Sequence, residues 1–419
     1  MSRVAAALVA VGLALTALTL TPVKHAMAGQ EYSYCPPAGN LVTSKTVWHH
    51  HRLAPGVSLS AATLRPGPHR LRINVVRANL ARRRVAVSPL HTRLTHRHRL
   101  SELAKQPHLV AATNGMYFNF SFGSPTVPLI GARGPLVLSA EHERIAGIGQ
   151  DGRARDGRAW LVGSAVSSEG VRERLVAINE IEPPSGLSLY TSAWGRHPVP
   201  RPPFSRALVV RHGRAIPHTR RHHRVPAHGV LLVANGLGAL SWMDSLRGHS
   251  TIDLNYRAKS NTHHPFRQAY GVGTKVVASP NHVRSGLYCN RNEIYAARTD
   301  FAWAHHGTQL ILATVASPKS GERAGVDENQ MSEIMVDLGA ERSYALDGGG
   351  STDLVARVGN HPLATRSPLP KGKERPIPVG VGVFSLPKSM LPHHGKHRKH
   401  HKSGHSKHKC VLGVVLCHG

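Results

Sequence analysis

Four short segments combine residue types that can do chemistry with the turns needed to present them. Ala345-Leu346-Asp347-Gly348-Gly349-Gly350-Ser351-Thr352 sets a carboxylate after an apolar run, directly before three glycines and two hydroxyls. Consecutive glycines can expose backbone N–H groups that cradle an anion such as phosphate. Asp347 suits a base, a nucleophile or a ligand for a hydroxyl, and Ser351 and Thr352 can bond phosphate oxygens. The spacing is not that of a nucleotide P-loop. In Ala111–Phe118 a strand runs into Asn114-Gly115, a pair that permits positive φ and a tight turn. Arg298, inside Glu293–Asp300, offers a planar fork for a phosphate. Glu374-Arg375 is a charged pair entering an apolar closing strand that ends near Phe384. Taken singly, each segment also has a plain structural reading: a hairpin turn, a flexible loop, one more surface arginine, a salt bridge.

The elements that must position these residues are mostly strands. Leu71–Val76, Val85–Val87, Leu109–Thr113, Pro135–Leu138, Ala159–Val162, Ala207–Val210, Val230–Ala234, Thr251–Leu254 and Gln309–Thr314 are short apolar runs between Gly, Pro and Asp-Gly signals. Arg82-Arg83-Arg84 reads as a basic hairpin turn, and Leu100–Gln106 as a short helix capped by Ser101. The clearest helical period spans Asp327–Leu338, where Met331, Ile334, Met335 and Leu338 share a face. Asp327 is its expected N-cap, with Gln330 three residues on. The expected fold class is α+β, a sheet-rich mixed domain with a few packed helices.

Residues 1–28 read as a signal peptide: Arg3, an apolar Val4–Leu20 run, then Ala26-Met27-Ala28 as a cleavage site. Residues 29–70 read as an N-terminal extension, 71–386 as the main domain and 387–419 as a disordered tail. Between Lys388 and Lys409 stand seven Lys or Arg and seven His with no acid, a composition that builds no core. The chain carries 53 Lys+Arg against 23 Asp+Glu, a net charge of +30, and no acid between Tyr32 and Ser101. Such a surface attracts polyanions, and salt weakens the attraction. For an exported, secreted or cell-wall-associated chain the expected partner is an anionic wall polymer, held by the basic surface and the tail. Aromatic content of 5% argues against a stacking platform, so no specific nucleic acid is expected. The membrane is expected to matter only through the signal peptide. No zincin-type motif occurs among the 31 histidines, so neither metal nor cofactor is expected, and His49–His51, His263–His264 and His305–His306 read as exposed loops. Cys35, Cys289, Cys410 and Cys417 allow three disulfide pairings; Cys410 with Cys417 would leave Cys35 for Cys289.

In this order the four segments resemble the phosphodiester glycosidase family, which includes N-acetylglucosamine-1-phosphodiester alpha-N-acetylglucosaminidases and exopolysaccharide-related bacterial proteins. The resemblance spans roughly residues 70 to 386 and rests chiefly on the helix–strand–Asp347-Gly348-Gly349-Gly350-Ser351 unit. Asn114-Gly115-Met116-Tyr117-Phe118, Arg298-Thr299 and Glu374-Arg375-Pro376 support it. The resemblance implies hydrolysis between a sugar anomeric carbon and a phosphate oxygen in a phosphorylated glycan or sugar-1-phosphodiester. It implies Asp347 as the first choice of catalytic carboxylate and Glu374 as the second. Arg298 and the amides of Gly348, Gly349 and Gly350 would take the phosphate, with Ser351 and Thr352 beside them. Asn114, after which Gly115 makes the turn, would position sugar hydroxyls, and Arg375 would bind substrate or pair with Glu374. The chain departs from the family at Met116, where a second glycine is usual, and at Asp300-Phe301-Ala302-Trp303, where smaller residues are usual. Both departures point to an altered sugar pocket. Two other functions fit the same features: a non-catalytic binder of wall polymers and a glycan-modifying transferase.

Overall fold

The computed structural model describes residues 41–391 apart from 66–69, 217–223, 248–249, 285–287, 290–294, 318–324 and 370–371, plus four short stretches of backbone: Ser33–Tyr34, Tyr288–Cys289, Cys410–Val411 and Leu416–Cys417. The expected signal peptide, and all but the first residues of the expected tail's core, lie outside the described residues. So do the cysteine side chains. In the backbone, Ser33–Tyr34 pairs with Tyr288–Cys289, and Cys410 stands opposite Cys417.

Strands dominate, as the composition and turn spacing lead one to expect. A seven-stranded antiparallel sheet runs in the order 275–277, 342–345, 298–304, 309–316, 71–79, 57–64 and 49–54. A five-stranded antiparallel sheet runs 364–365, 354–356, 109–114, 380–385 and 85–90. An eleven-stranded sheet carries the remaining long strands, with one parallel pairing between 172–178 and 186–190. The main core lies where all three meet: Val76 and Phe301 from the first, Ala111 and Val381 from the second, Ala146 and Tyr270 from the third. Among the described residues the α-helices are three, of 4, 8 and 10 residues. The longest, Glu328–Asp337, buries Met331, Ile334 and Met335 against the seven-stranded sheet, opened by the Asp327–Gln330 capping box that the sequence called for.

Four expectations need correcting. Arg82–Arg84 is not a hairpin turn, because Leu71–Asn79 and Val85–Leu90 belong to different sheets. The helix Leu100–Leu103 has Arg99, not Ser101, at its N-cap. Residues 49–64 are not an appended extension: two strands there, His49–Ala54 and Val57–Leu64, complete the edge of the seven-stranded sheet, where alternation buries Val57, Leu59 and Ala61. His49–His51 are exposed, as expected, but in that edge strand rather than in a loop.

Candidate active site

The seven- and five-stranded sheets meet along the loop Asp347–Asp353, and backbone hydrogen bonds fix it on both sides. Leu346 donates to the Thr299 carbonyl (2.8 Å) and Gly349 to that of Ala297 (2.8 Å), both toward the seven-stranded sheet. Asp347 donates to the Gly115 carbonyl (3.1 Å), and Gly115 to that of Val379 (2.9 Å), toward the five-stranded sheet. Antiparallel order therefore brings the start of the 298–304 strand, the end of 342–345, the end of 109–114 and the approach to 380–385 to one place. All four segments singled out from the sequence converge there.

Asn114 is the clamp of this junction. It is wholly buried, and its amide donates to the carbonyls of Asp347 (2.7 Å) and Gly115 (3.2 Å). Its Oδ1 accepts from the Thr299 hydroxyl (2.7 Å) and the Asp353 N–H (3.2 Å). The side chain expected to hold sugar hydroxyls is thus bonded entirely within the protein. Asn114→Ala removes all four of these hydrogen bonds, three of them buried, so we expect a loss of about 2–4 kcal/mol in urea unfolding.

Gly115 is needed for close approach rather than for positive φ, since a Cβ there would lie 2.7 Å from the Val379 carbonyl oxygen. In the glycine triplet only Gly349 takes a left-handed φ, +56°, and its N–H is already used by Ala297. The three-amide cradle is therefore not present as such. Ser351 and Thr352 turn their N–H groups to Gly348 and Gly349 (3.2 Å each) in a short 3-10 turn, and both are buried.

Glu374 faces away from its neighbour. Its carboxylate accepts from the Ser101 N–H (3.0 Å) and hydroxyl (2.9 Å) and from the Thr365 hydroxyl (3.1 Å), which anchors the first turn of the Leu100–Leu103 helix. That leaves Arg375 to the loop. Its guanidinium packs on Gly350, lies 5.3 Å over the Phe120 ring and donates to Ser351 Oγ (3.3 Å). A Cβ at Gly350 would sit 2.2 Å from Arg375 Nη2. Gly350→Ala is expected to swing this flexible side chain off the loop with little effect on stability. Losing one charge-assisted contact to phosphate then raises KM by about tenfold in steady-state kinetics.

Arg298 has acidic company that the sequence reading did not foresee. It donates Nε–H to the Val326 carbonyl (3.2 Å) and stands 3.9 Å from Glu328, and its charge also acts on Asp300 and Asp327. Asp300 is wholly buried; its Oδ2 accepts from Ser343 Oγ (2.5 Å). Burial, with Glu328 adding to it, lifts the Asp300 carboxyl to about 7. Burial also raises Glu328, which Arg298 and a hydrogen bond from Thr274 (3.2 Å) oppose. Tyr117 completes the group: the residue is partly exposed, but desolvation around its hydroxyl, then the charges of Asp347 and Glu328, push the phenol up to about 12, so it stays a neutral donor. Behind the loop, burial and Glu374 lift Asp353 to about 7.

Phe301 and Trp303 are core residues, as is Met116, so these departures from the family pattern fill the interior rather than a sugar pocket. Tyr117, Asp300, Glu328 and Asp353 went unassigned from sequence. The available signal was scarcity: in a chain with 23 acids against 53 bases, acids embedded in apolar runs stand out. Among the described residues no group of three metal-ligating side chains is found.

The sheet-rich fold is shared by other proteins of known structure. A hypothetical protein from Synechocystis superposes with a TM-score of 0.63 at 19% identity, over 82% of this chain; the present chain spans 64% of its length. A Burkholderia pseudomallei K96243 protein, named provisionally as exported, gives 0.65 at 14% identity over 86% of this chain and 100% of its own. Both share the fold. The zebrafish N-acetylglucosamine-1-phosphodiester alpha-N-acetylglucosaminidase catalytic domain, auto-inhibited by its pro-peptide, aligns at 14% identity over 87% and 91% of the two chains, with a TM-score of 0.41 that is too low to argue from. Comparison with curated proteins gave no match. Residues 245–384 match the phosphodiester glycosidase family, and this stretch holds Arg298, Asp347–Thr352, Glu374 and Arg375. The family resemblance is thereby borne out over roughly a third of the chain, a stretch that leaves out Asn114, Gly115 and Tyr117. No helix among the described residues is long and apolar enough to cross a membrane.

Proposed function

We propose that the protein is an exported hydrolase that cleaves the bond between a sugar anomeric carbon and a phosphate oxygen. The observation that carries this reading is the convergence of Asp347, Arg298 and Arg375, all within the stretch that matches the family, with Tyr117 at the sheet junction. In the reaction the C1–O bond breaks, its electron pair leaves with the phosphate oxygen, and water supplies the hydroxyl to C1. Phosphate is a good leaving group, so the site needs positive charge and donors at the departing oxygens more than a strong acid.

Arg375 suits that task better than Arg298. Arg298 faces Glu328 at 3.9 Å and donates to the Val326 carbonyl, whereas Arg375 contacts a hydroxyl and an aromatic face. The half-buried Asp347 is the carboxylate that steadies the oxocarbenium-like carbon or activates water. Tyr117, neutral throughout, donates to a phosphate or sugar oxygen. Glu374 and Asn114 act by position, holding the loop from behind. The test is release of free reducing sugar from UDP-GlcNAc, a synthetic sugar-1-phosphodiester and wall teichoic acid, with and without an acceptor sugar. Release without acceptor supports hydrolysis; product formed only with acceptor makes the protein a transferase, and no turnover of any of the three overturns the proposal.

A further inference from the structure

One outward sheet face of this basic chain carries six exposed cations. Strand Ala154–Ser167 buries Ala159, Leu161 and Ala165 in the core of the eleven-stranded sheet, so Arg158, Trp160, Val162, Ser164 and Val166 share the opposite, outward face. Antiparallel register sets their direct partners on that same face. Arg158 stands opposite Arg144, Trp160 opposite Lys259, Val162 opposite Arg257, Ser164 opposite Arg174 and Val166 opposite Arg172. All six of those cations are exposed, and none forms an ion pair among the described residues. Val166 also faces the acid Asp253.

We propose that this face binds an anionic polymer with regularly spaced backbone phosphates and sugar substituents. Like charges placed opposite one another destabilise a sheet, and two exposed residues of this face, Val162 and Arg257, add apolar surface and charge side by side. A polyanion laid across the strands relieves that repulsion. Arg257 and Lys259 on one flanking strand, and Arg172 and Arg174 on another, stand two residues apart, about 6.7 Å, with strand 154–167 between the pairs, so spaced phosphates can meet several cations across the face.

Trp160 stands among them with His142 stacked on its ring at 3.9 Å and Lys259 Nζ 5.7 Å from its centroid. A single supported indole within rows of cations fits an occasional sugar ring. Stacking platforms for single-stranded nucleic acid use several aromatics in succession, and membrane surfaces call for protruding apolar side chains. The face belongs to the eleven-stranded sheet and the candidate active site to the junction of the other two, so the two readings stand or fall separately.

Binding of the full chain to glycosylated poly(glycerol phosphate) tests the proposal, with duplex DNA and anionic phosphatidylglycerol vesicles measured alongside. Wild type should bind the polymer in a salt-dependent way. Arg158→Glu/Arg257→Glu/Lys259→Glu should bind at least about tenfold more weakly, with a salt slope shallower by about three. Trp160→Ala should lose affinity for the glycosylated polymer and keep that for the bare one. The triple variant retains turnover of a small sugar-1-phosphodiester, and Asp347→Asn retains polymer binding. Should the charge reversals fail to fold, the matching glutamine substitutions carry the same test. Wild-type affinity in the triple variant, or tighter binding to DNA or vesicles than to polymer, overturns the proposal.

Discussion

Asp347→Asn should lower kcat for sugar release by about 10³-fold or more while the protein unfolds at the wild-type denaturant concentration. The asymmetry follows from how Asp347 is held. Its backbone is bonded twice to the end of the 109–114 strand, the N–H to the Gly115 carbonyl and the carbonyl to the Asn114 amide. The side chain is half-buried and the amide nearly isosteric, so the loop keeps its shape. What disappears is the negative charge that the Tyr117 hydroxyl feels first among its neighbours. Glu374→Gln is the contrasting variant. Its carboxylate serves Ser101 and Thr365, so stability should fall by about 1–2 kcal/mol with kcat changed by less than about tenfold. Steady-state kinetics beside urea unfolding decides both. If Asp347→Asn kept kcat within tenfold of wild type, the chemistry would have to move to Glu328 or Asp300, the other carboxylates near Tyr117.

How far the sequence carried the reading depended on whether a signal was local. Strand existence was legible because alternation and Gly/Pro punctuation are local, and so was the Asp327 capping box. The partners of strands were not: Arg82–Arg84 has the composition of a hairpin turn, yet the chain there crosses between sheets because Val85–Leu90 pairs with Gly380–Ser385. The loop Asp347–Thr352 was legible as a site because three glycines have no local packing purpose. Its chemistry was less so. Gly350 is small to admit Arg375, and Gly349 turns its N–H onto Ala297, both contacts between residues far apart in sequence. Asn114 was recognised and its role misjudged for the same reason: all its partners except Gly115 come from segments distant in sequence. Asp300 was set among family departures, and burial beside Ser343 and Glu328 is what gives it meaning.

That burial has a consequence for stability. Asp300 and Asp353 both titrate near 7 in the folded protein, raised first by burial, and Glu180 is lifted by burial to about 8. In the unfolded chain an aspartate titrates near about 3.9. Between those values the folded state holds protons that the unfolded state has released, so the stability owed to these two aspartates falls as pH rises from about 4 to about 7, and Glu180 extends the fall to about 8. At about 1.36 kcal/mol per pH unit, the loss is on the order of 2–4 kcal/mol for each of the two groups. His91 works in the opposite sense, since burial depresses it to about 4 and stability drops as pH falls below its unfolded value. The raw pH profile therefore mixes the two signs, and the clean quantity is the difference between wild type and a variant. Asp300→Asn keeps an acceptor for Ser343 and cannot ionise. Relative to wild type it should gain stability from pH 5 to pH 8 in urea unfolding, by several tenths of a denaturant molar or more, and Asp353→Asn should do the same. A stability difference independent of pH in both variants would mean that these carboxyls are ionised in the fold across that range. Arg298 would then be balancing Asp300 outright, and it would have no charge to offer a phosphate.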